Sequence, residues 1–266
     1  MSLLQLLIIA GIQGITEFIP ISSSGHLVII PHLFEWRDQG LIIDIAVHFG
    51  TLAAVIVYLW RDIWQMLARV TVLEKTHQTV RIEFIGQLLL ATIPLFIVGA
   101  LVYEFAFDTL RNKVVVGWAT ILFGILLYLS DKYTVTINRL EHMTWGKAFA
   151  IGLAQVFALI PGASRAGTTI TMARWLGFER TEAVRFSMLL SIPAILAAGT
   201  LAFWDLLERD NYSAHLTEAI IVAFMAFLTA LVSITILMRW LTWATFTPFV
   251  IYRVILGAAV LTWAYY

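Results

Sequence analysis

Apolar residues run through this chain in long stretches of two distinct lengths. Leu41–Trp60, Phe84–Phe105, Val114–Leu129, Phe186–Trp204, Ala219–Met238 and Phe246–Trp263 are long enough, or nearly so, to cross a bilayer as helices, which takes about 20 apolar residues. Met1–Ile12, Leu27–Phe34, Ala148–Ile160 and Thr168–Phe178 are too short to span. They predict half-helices belonging to re-entrant segments. The expected fold is an all-α integral membrane protein, one membrane domain over residues 1–266.

The short runs pair up. GIQGITEFIPISSSGH at Gly11–His26 resembles GLAQVFALIPGASRAG at Gly152–Gly167, with Gly11 and Gly152, Pro20 and Pro161, and Ser23 and Ser164 each 141 residues apart. AVHF at Ala46–Phe49 resembles AVRF at Ala183–Phe186 at an offset of 137, so small insertions or deletions separate the copies. The chain divides into repeat one, about 1–140, and repeat two, about 141–266, each a re-entrant helical hairpin followed by three transmembrane helices. Three crossings are odd, so the two halves have inverted topology. Paired, interrupted apolar segments in corresponding halves point to a binding site near the midplane.

Charge sets the orientation. Arg61, Arg69, Lys75, Arg81, Lys132, Arg139, Lys147, Arg174, Arg180, Arg185 and Arg239 flank the runs on one side, and the positive-inside rule places that side in the cytoplasm. Glu35, Asp38, Glu104, Asp108, Asp205, Glu208 and Asp210 fall on the other, with Arg37, Arg111, Lys113 and Arg209. The first hairpin then enters from outside and the second from inside. Arg61–Arg81 reads as a polar membrane-flanking loop. Composition agrees: 61% of residues are hydrophobic and 13% charged, with mean hydropathy +0.89, against about 45–50% and about 25% in soluble domains. The formal charge is zero, which argues against a nucleic-acid partner. There is no Cys, hence no thiol chemistry, and the N-terminus lacks the positive flank and cleavage site of a signal peptide.

The chemistry concentrates at the two tips. Helices restarting after Pro20 and Pro161 would aim their N–H groups and positive dipole ends at a shared cavity, a ready anion site. Ser22, Ser24, Ser164 and Thr169 add hydroxyl donors there. Arg165 has the fork that suits bidentate phosphate contact; its plainer reading is an ion pair with Glu17. Glu17 could bind a divalent cation, act as a base, or pair with Arg165, while Gln13, four residues earlier on the same face, reads as a hydrogen-bond partner rather than a catalyst. Ser23 and His26, three apart on one helical face, suggest a serine nucleophile with an imidazole base, or a histidine nucleophile; attack by water activated by Glu17 or a metal stays open. One serine could simply cap the next helix. His48, Asp44 and Arg253 read as cavity-lining or ion-pairing residues. Trp36, Trp60, Trp204 and Trp240 lie near span ends as interfacial anchors, and His32, His77, His142 and His215 do not group as a zinc site.

QGITEFIPISSSGH and PGASRAGTT resemble the two signature regions of bacterial undecaprenyl-diphosphatases, the bacitracin-resistance proteins. The resemblance extends to AVHFGT, MLLSIPA and PFVIYR, so it covers essentially the whole chain. Gln13 stands where many members have Glu, and Ala166 where a second Ser is usual. The resemblance implies hydrolysis of undecaprenyl diphosphate to the monophosphate and phosphate at the outer face of the bacterial inner membrane, recycling the lipid carrier for cell-wall synthesis. It implies functional roles for Gln13, Glu17, Ser23, His26, Ser164, Arg165 and Thr169, stimulation by a divalent cation (Mg or Ca), and bacitracin as a competitor for the substrate. A homodimer is one arrangement compatible with the pattern. The alternative class is a polyprenyl-phosphate transporter on the same scaffold, since inverted repeats with broken helices are a transporter layout. Phosphatidic-acid-type phosphatases fit poorly, because no Arg-Pro occurs here, and rhomboid-type proteases need a Gly-x-Ser-Gly that is absent.

This topology makes a labelling prediction. A single Cys at Thr76 should resist impermeant thiol reagents in intact cells, and one at Asn211 should react. The reverse pattern would invert the chain in the membrane.

Overall fold

The computed structural model describes residues 2–34, 36, 39–68, 75–105, 112–207 and 216–266. Among the described residues eleven α-helices follow one another: α1 Leu3–Thr16, α2 Ser23–Leu33, α3 Gly40–Tyr58, α4 Trp60–Ala68, α5 Lys75–Phe105, α6 Lys113–Tyr133, α7 Trp145–Val156, α8 Arg165–Trp175, α9 Arg180–Leu207, α10 Leu216–Trp240 and α11 Thr247–Tyr265. Short 3₁₀ turns at Leu140–His142 and Phe157–Leu159 complete the order. There is no strand among the described residues, only an isolated bridge between Asn138 and Phe178. Among the described residues six stretches are long and apolar enough to cross a membrane: Gly40–Tyr58, Glu83–Leu101, Lys113–Tyr133, Arg180–Ala202, Leu216–Trp240 and Thr247–Tyr265. They coincide with the six long runs of the sequence, and the four short runs form α1, α2, α7 and α8.

The packing is inside-out by the standards of a soluble protein. On α5, Leu89, Ile93, Ile97 and Leu101 recur every four residues and face outward, a lipid-facing stripe at helical spacing. The inner faces carry small residues and hydroxyls, which let helices approach in the absence of a hydrophobic drive between them. Gly14 on α1 lies against the backbone of Ala226 and Ala230 on α10, and Gly152 on α7 against Ala91 on α5. Any side chain there would collide with backbone. Ser233 donates to the carbonyl of Ile15 at 3.1 Å, fastening α10 to α1. The first helix of each hairpin thus packs on the middle span of the other half, α1 on α10 and α7 on α5.

Two local expectations are corrected. The polar loop expected over Arg61–Arg81 starts instead within the helix α4, Trp60–Ala68, because Ile63 and Met66 give that helix an apolar side that packs against the core. Asp62 on it pairs with Arg185 of α9. Arg174, expected as a flanking charge, is 2% exposed. It donates from Nε to Asp131 Oδ1 at 3.0 Å, and Arg180 reaches the same oxygen at 2.8 Å. The backbone N–H of Phe246 donates to Asp131 Oδ2 at 3.3 Å. Arg139 pairs with Glu179 nearby. Residues that the charge pattern placed on one side are therefore gathered by ion pairs. Lys113, assigned to the other side, sits over the ring of Trp263 near the C-terminus at 3.5 Å.

Removing one partner of a buried ionic cluster leaves uncompensated charge and costs about 3–5 kcal/mol. Asp131→Ala should lower the melting temperature in detergent by roughly 10 °C. An unchanged melting curve would mean the Asp131 cluster contributes nothing to stability.

Candidate active site

The two hairpin tips are built by the same local device. Ser22 caps α2 and Ser164 caps α8, and these are the non-glycine residues with positive φ among those described, at 74° and 71°. Each Ser Oγ accepts the N–H of the residue three positions on, Gly25 at 3.3 Å and Gly167 at 3.0 Å. The left-handed turn reverses the chain abruptly, and the cap satisfies an N–H that the helix cannot. Such conformations are costly for residues with a Cβ and cluster at functional sites. The structural equivalence is one residue out of step with the motif alignment, since Ser22 and not Ser23 matches Ser164. Gly162, itself at φ 97°, and Ala163 give the second tip its extra length. Ser23 and Arg165 are then the equivalent residues, each the first of its helix.

Both of these first residues reach for one carboxylate. Glu17 is 7% exposed. Its Oε1 accepts Arg165 Nη2 at 2.5 Å, and its Oε2 accepts Ser23 Oγ at 2.7 Å and Gln13 Nε2 at 2.9 Å. His48 Nε2 on α3 lies 4.0 Å from Oε2, with its Nδ1 held by the carbonyl of Asp44 at 2.7 Å. Two atoms in this cluster are buried and have no protein partner among the described residues: Gln13 Oε1 and Arg165 Nη1. The cluster therefore combines a hydroxyl positioned against a base with an unspent guanidinium donor, next to two helix N-termini. Burial strengthens these charged contacts relative to water.

The other expected residues sort themselves by what their side chains hold. Ser22 and Ser164 are committed to capping, and the exposed Ser24 shares a hydrogen bond with Ser22 at 3.3 Å. Thr169 is turned into the protein, bonded to Ser187 Oγ at 2.7 Å and to the carbonyl of Arg165 at 2.8 Å. His26 is where the spacing argument fails. Ser23 and His26 do share a helix, yet the Ser23 hydroxyl is given to Glu17 and not to the imidazole. His26 Nδ1 meets the carbonyl of Ser22 at 2.7 Å, and Nε2 meets the Tyr252 hydroxyl at 2.6 Å. A carbonyl only accepts, so Nδ1 carries the proton and Nε2 accepts from Tyr252. The Tyr252 ring also stacks on His26, with centroids 5.7 Å apart and planes within 4°.

Tyr252 was missed in the sequence because an aromatic residue in an apolar span carries no local signal. Arg253 beside it was undervalued. Its guanidinium is 0% exposed and is held by backbone carbonyls of both tips. Gln155 on α7 is the counterpart of Gln13 at the register of the capping serines. It is fully buried, and both its amide atoms lack a protein partner among the described residues. Among those residues no group of three or more His, Asp or Glu forms a metal cage.

Residues 6–259 match the protein-family model described as bacitracin resistance protein BacA. The chain is 44% identical over 272 residues to undecaprenyl-diphosphatase 1 of Rhodospirillum rubrum, covering 100% of this chain and 96% of that protein. It is also 44% identical to the undecaprenyl-diphosphatase of Jannaschia sp. and 43% identical to that of Ruegeria pomeroyi, each alignment covering both chains completely.

The unpaired Nη1 makes a binding prediction. A hydrogen bond to a charged group contributes about 1.5–3 kcal/mol, roughly 10–100-fold in affinity. Titration calorimetry of the purified protein with inorganic phosphate should show Arg165→Lys weakened by about that factor. Equal binding by wild type and Arg165→Ala would remove this guanidinium from the site.

Proposed function

The chain belongs to the bacitracin resistance protein BacA family, and we propose that it hydrolyses undecaprenyl diphosphate to undecaprenyl phosphate and inorganic phosphate. The observation that carries the reading is the contact of Ser23 Oγ with Glu17 Oε2 at 2.7 Å beside a guanidinium with a free buried nitrogen. Nucleophile, base and anion holder converge on one point, as phosphoryl transfer requires. The full-length relatives carry the name of a phosphatase and not of a transporter.

In this mechanism Arg165 Nη1 and the N-termini of α2 and α8 hold the terminal phosphoryl oxygens. Ser23 Oγ attacks the terminal phosphorus while its proton passes to Glu17. The bond to the bridging oxygen breaks, and undecaprenyl phosphate leaves with the proton from Glu17. Water then attacks the phosphoserine, giving a proton to Glu17, which returns it to Ser23 as phosphate departs. Arg165 stabilises the charge spread over the equatorial oxygens throughout. His26, with both nitrogens engaged, supports the carbonyl of Ser22 and links α2 to α11.

A divalent cation, Mg or Ca, would bind here only together with the diphosphate. Mg-type ions are commonly held by one or two carboxylates plus substrate phosphates, and Glu17 with the unbonded Gln13 Oε1 offers that donor set. Such an ion would supply charge neutralisation at the leaving group.

We place the site on the periplasmic side of the inner membrane, with the two halves in opposite orientation. The gathering of Arg139, Arg174, Arg180 and Arg185 at one end supports the first statement, since basic flanks favour the cytoplasm. The reciprocal packing of α1 on α10 and α7 on α5 supports the second. Bacitracin would then act by withholding the diphosphate on the outer side.

Phosphate release from detergent-solubilised protein tests the reading. Ser23→Ala and Glu17→Gln should each lose at least about 10³-fold in kcat, and His26→Ala should retain a measurable fraction. Rapid quench with labelled substrate should trap an acid-stable adduct on Ser23. An acid-labile adduct on His26 would reassign the nucleophile. Glu17→Asp should regain activity at raised Mg or Ca; identical rates in metal and in excess chelator would remove the cation from the reaction.

A further inference from the structure

Arg253 is a buried cation that the proposed reaction does not use. It projects from α11, within a membrane span, and is 0% exposed. An arginine at such depth is costly unless it has a purpose and partners. Its partners among the described residues are all backbone carbonyls, drawn from three separate pieces of chain. Nε donates to Thr120 on α6 at 3.0 Å. Nη1 donates to Pro20 in the first tip at 3.1 Å. Nη2 donates to Gly162 at 2.9 Å and Ala163 at 3.0 Å in the second tip. Both flanking helices make room for it with glycine. A Cβ on Gly167 of α8 would lie 2.6 Å from Nη1, and one on Gly124 of α6 would lie 3.1 Å from the Arg253 Cβ.

The contacts have a directional consequence. A trans peptide is planar, with its C=O and N–H on opposite sides. Drawing the carbonyl of Ala163 toward Arg253 therefore turns the N–H of Ser164 the other way. The same side chain holds the carbonyl of Pro20, two residues ahead of the left-handed Ser22. Left-handed serines persist only where their surroundings over-determine them, and here one planar fork constrains both tips at once. A lysine could not do this, because its single nitrogen lacks the fixed spread of donors.

We propose that Arg253 is a positioning residue that locks the two tips in register, so that Ser23 and Arg165, each following a left-handed serine, meet on Glu17. This rests on the phosphatase reading above. It predicts that the fork acts on transition-state geometry and not on capture of the substrate.

The test compares Arg253→Lys with wild type as purified full-length protein. Folding is checked by size-exclusion chromatography and melting. Activity is followed as phosphate release from undecaprenyl diphosphate, with orthovanadate as a mimic of the pentacoordinate phosphoryl group. Misplacement of reacting groups by about 1 Å costs on the order of 10²-fold. The expected result is kcat lower by about that factor, KM changed by less than about threefold, and vanadate inhibition weakened in parallel with kcat. Unchanged kcat, a rise in KM alone, or loss of kcat with unaltered vanadate inhibition would each overturn the proposal. If Arg253→Lys does not fold, Gly167→Ala displaces the guanidinium without removing it. It should give the same pattern with a kcat loss of about tenfold, and unchanged kcat there would also overturn the role. If wild type itself releases no phosphate, the phosphatase reading falls. If it does and both variants match it, only the positioning role falls.

Discussion

Backbone that leaves the helical pattern inside a bilayer must find its hydrogen bonds within the protein, because lipid offers none. This constraint organises the molecule. Two hairpins interrupt their helices around Pro20 and Pro161, between Thr16 and Ser23 and between Val156 and Arg165, and nearby side chains take up groups exposed there. Ser22 and Ser164 cap the restarting helices. Arg253 takes up carbonyls from both breaks. In the Glu17 cluster, Arg165 Nη1 and Gln13 Oε1 are buried with no partner among the described residues, which leaves them open to a ligand.

The same economy accounts for the division of labour between the tips. Equivalent positions immediately after the left-handed serines carry Ser23 in one hairpin and Arg165 in the other. A single carboxylate, Glu17, bonds both. The arginine sets a positive charge against the buried carboxylate, and the serine hydroxyl donates to its other oxygen. Outside the site, the ion pairs among the described residues include a group around Asp131 and a pair at Asp62. Asp131 serves Arg174 and Arg180 together, while α4 and α9 are joined through Asp62 and Arg185. The lipid-facing surface needs only apolar side chains, and α5 shows that stripe plainly.

Much of this was legible in the chain. The six spans and four half-spans follow from run length alone, because a bilayer demands about 20 apolar residues per crossing and tolerates little else. The polar tips were legible because Pro, Gly and clustered Ser are conspicuous against an apolar background, and an arginine there has few structural excuses. The amphipathic helix α4 was not, since Trp60–Ala68 is too short and too polar to stand out from a loop until it has a core to lie on.

Sequence by itself determined the membrane architecture, the two interrupted hairpins, and the membership of Gln13, Glu17, Ser23 and Arg165 in one polar cluster. Tertiary structure alone decided who bonds whom. Helical spacing placed Ser23 with His26, but spacing describes only neighbours on one helix. The contact that wins, Ser23 to Glu17, crosses a left-handed turn whose geometry no periodicity reports. The motif alignment likewise paired Ser23 with Ser164, whereas the capping geometry pairs Ser22 with Ser164. Tyr252 and Arg253 lie 226 and 233 residues from the groups they hold, His26 and Pro20. Their roles depend on the packing of α11 between the tips, a long-range consequence of folding that local pattern cannot carry.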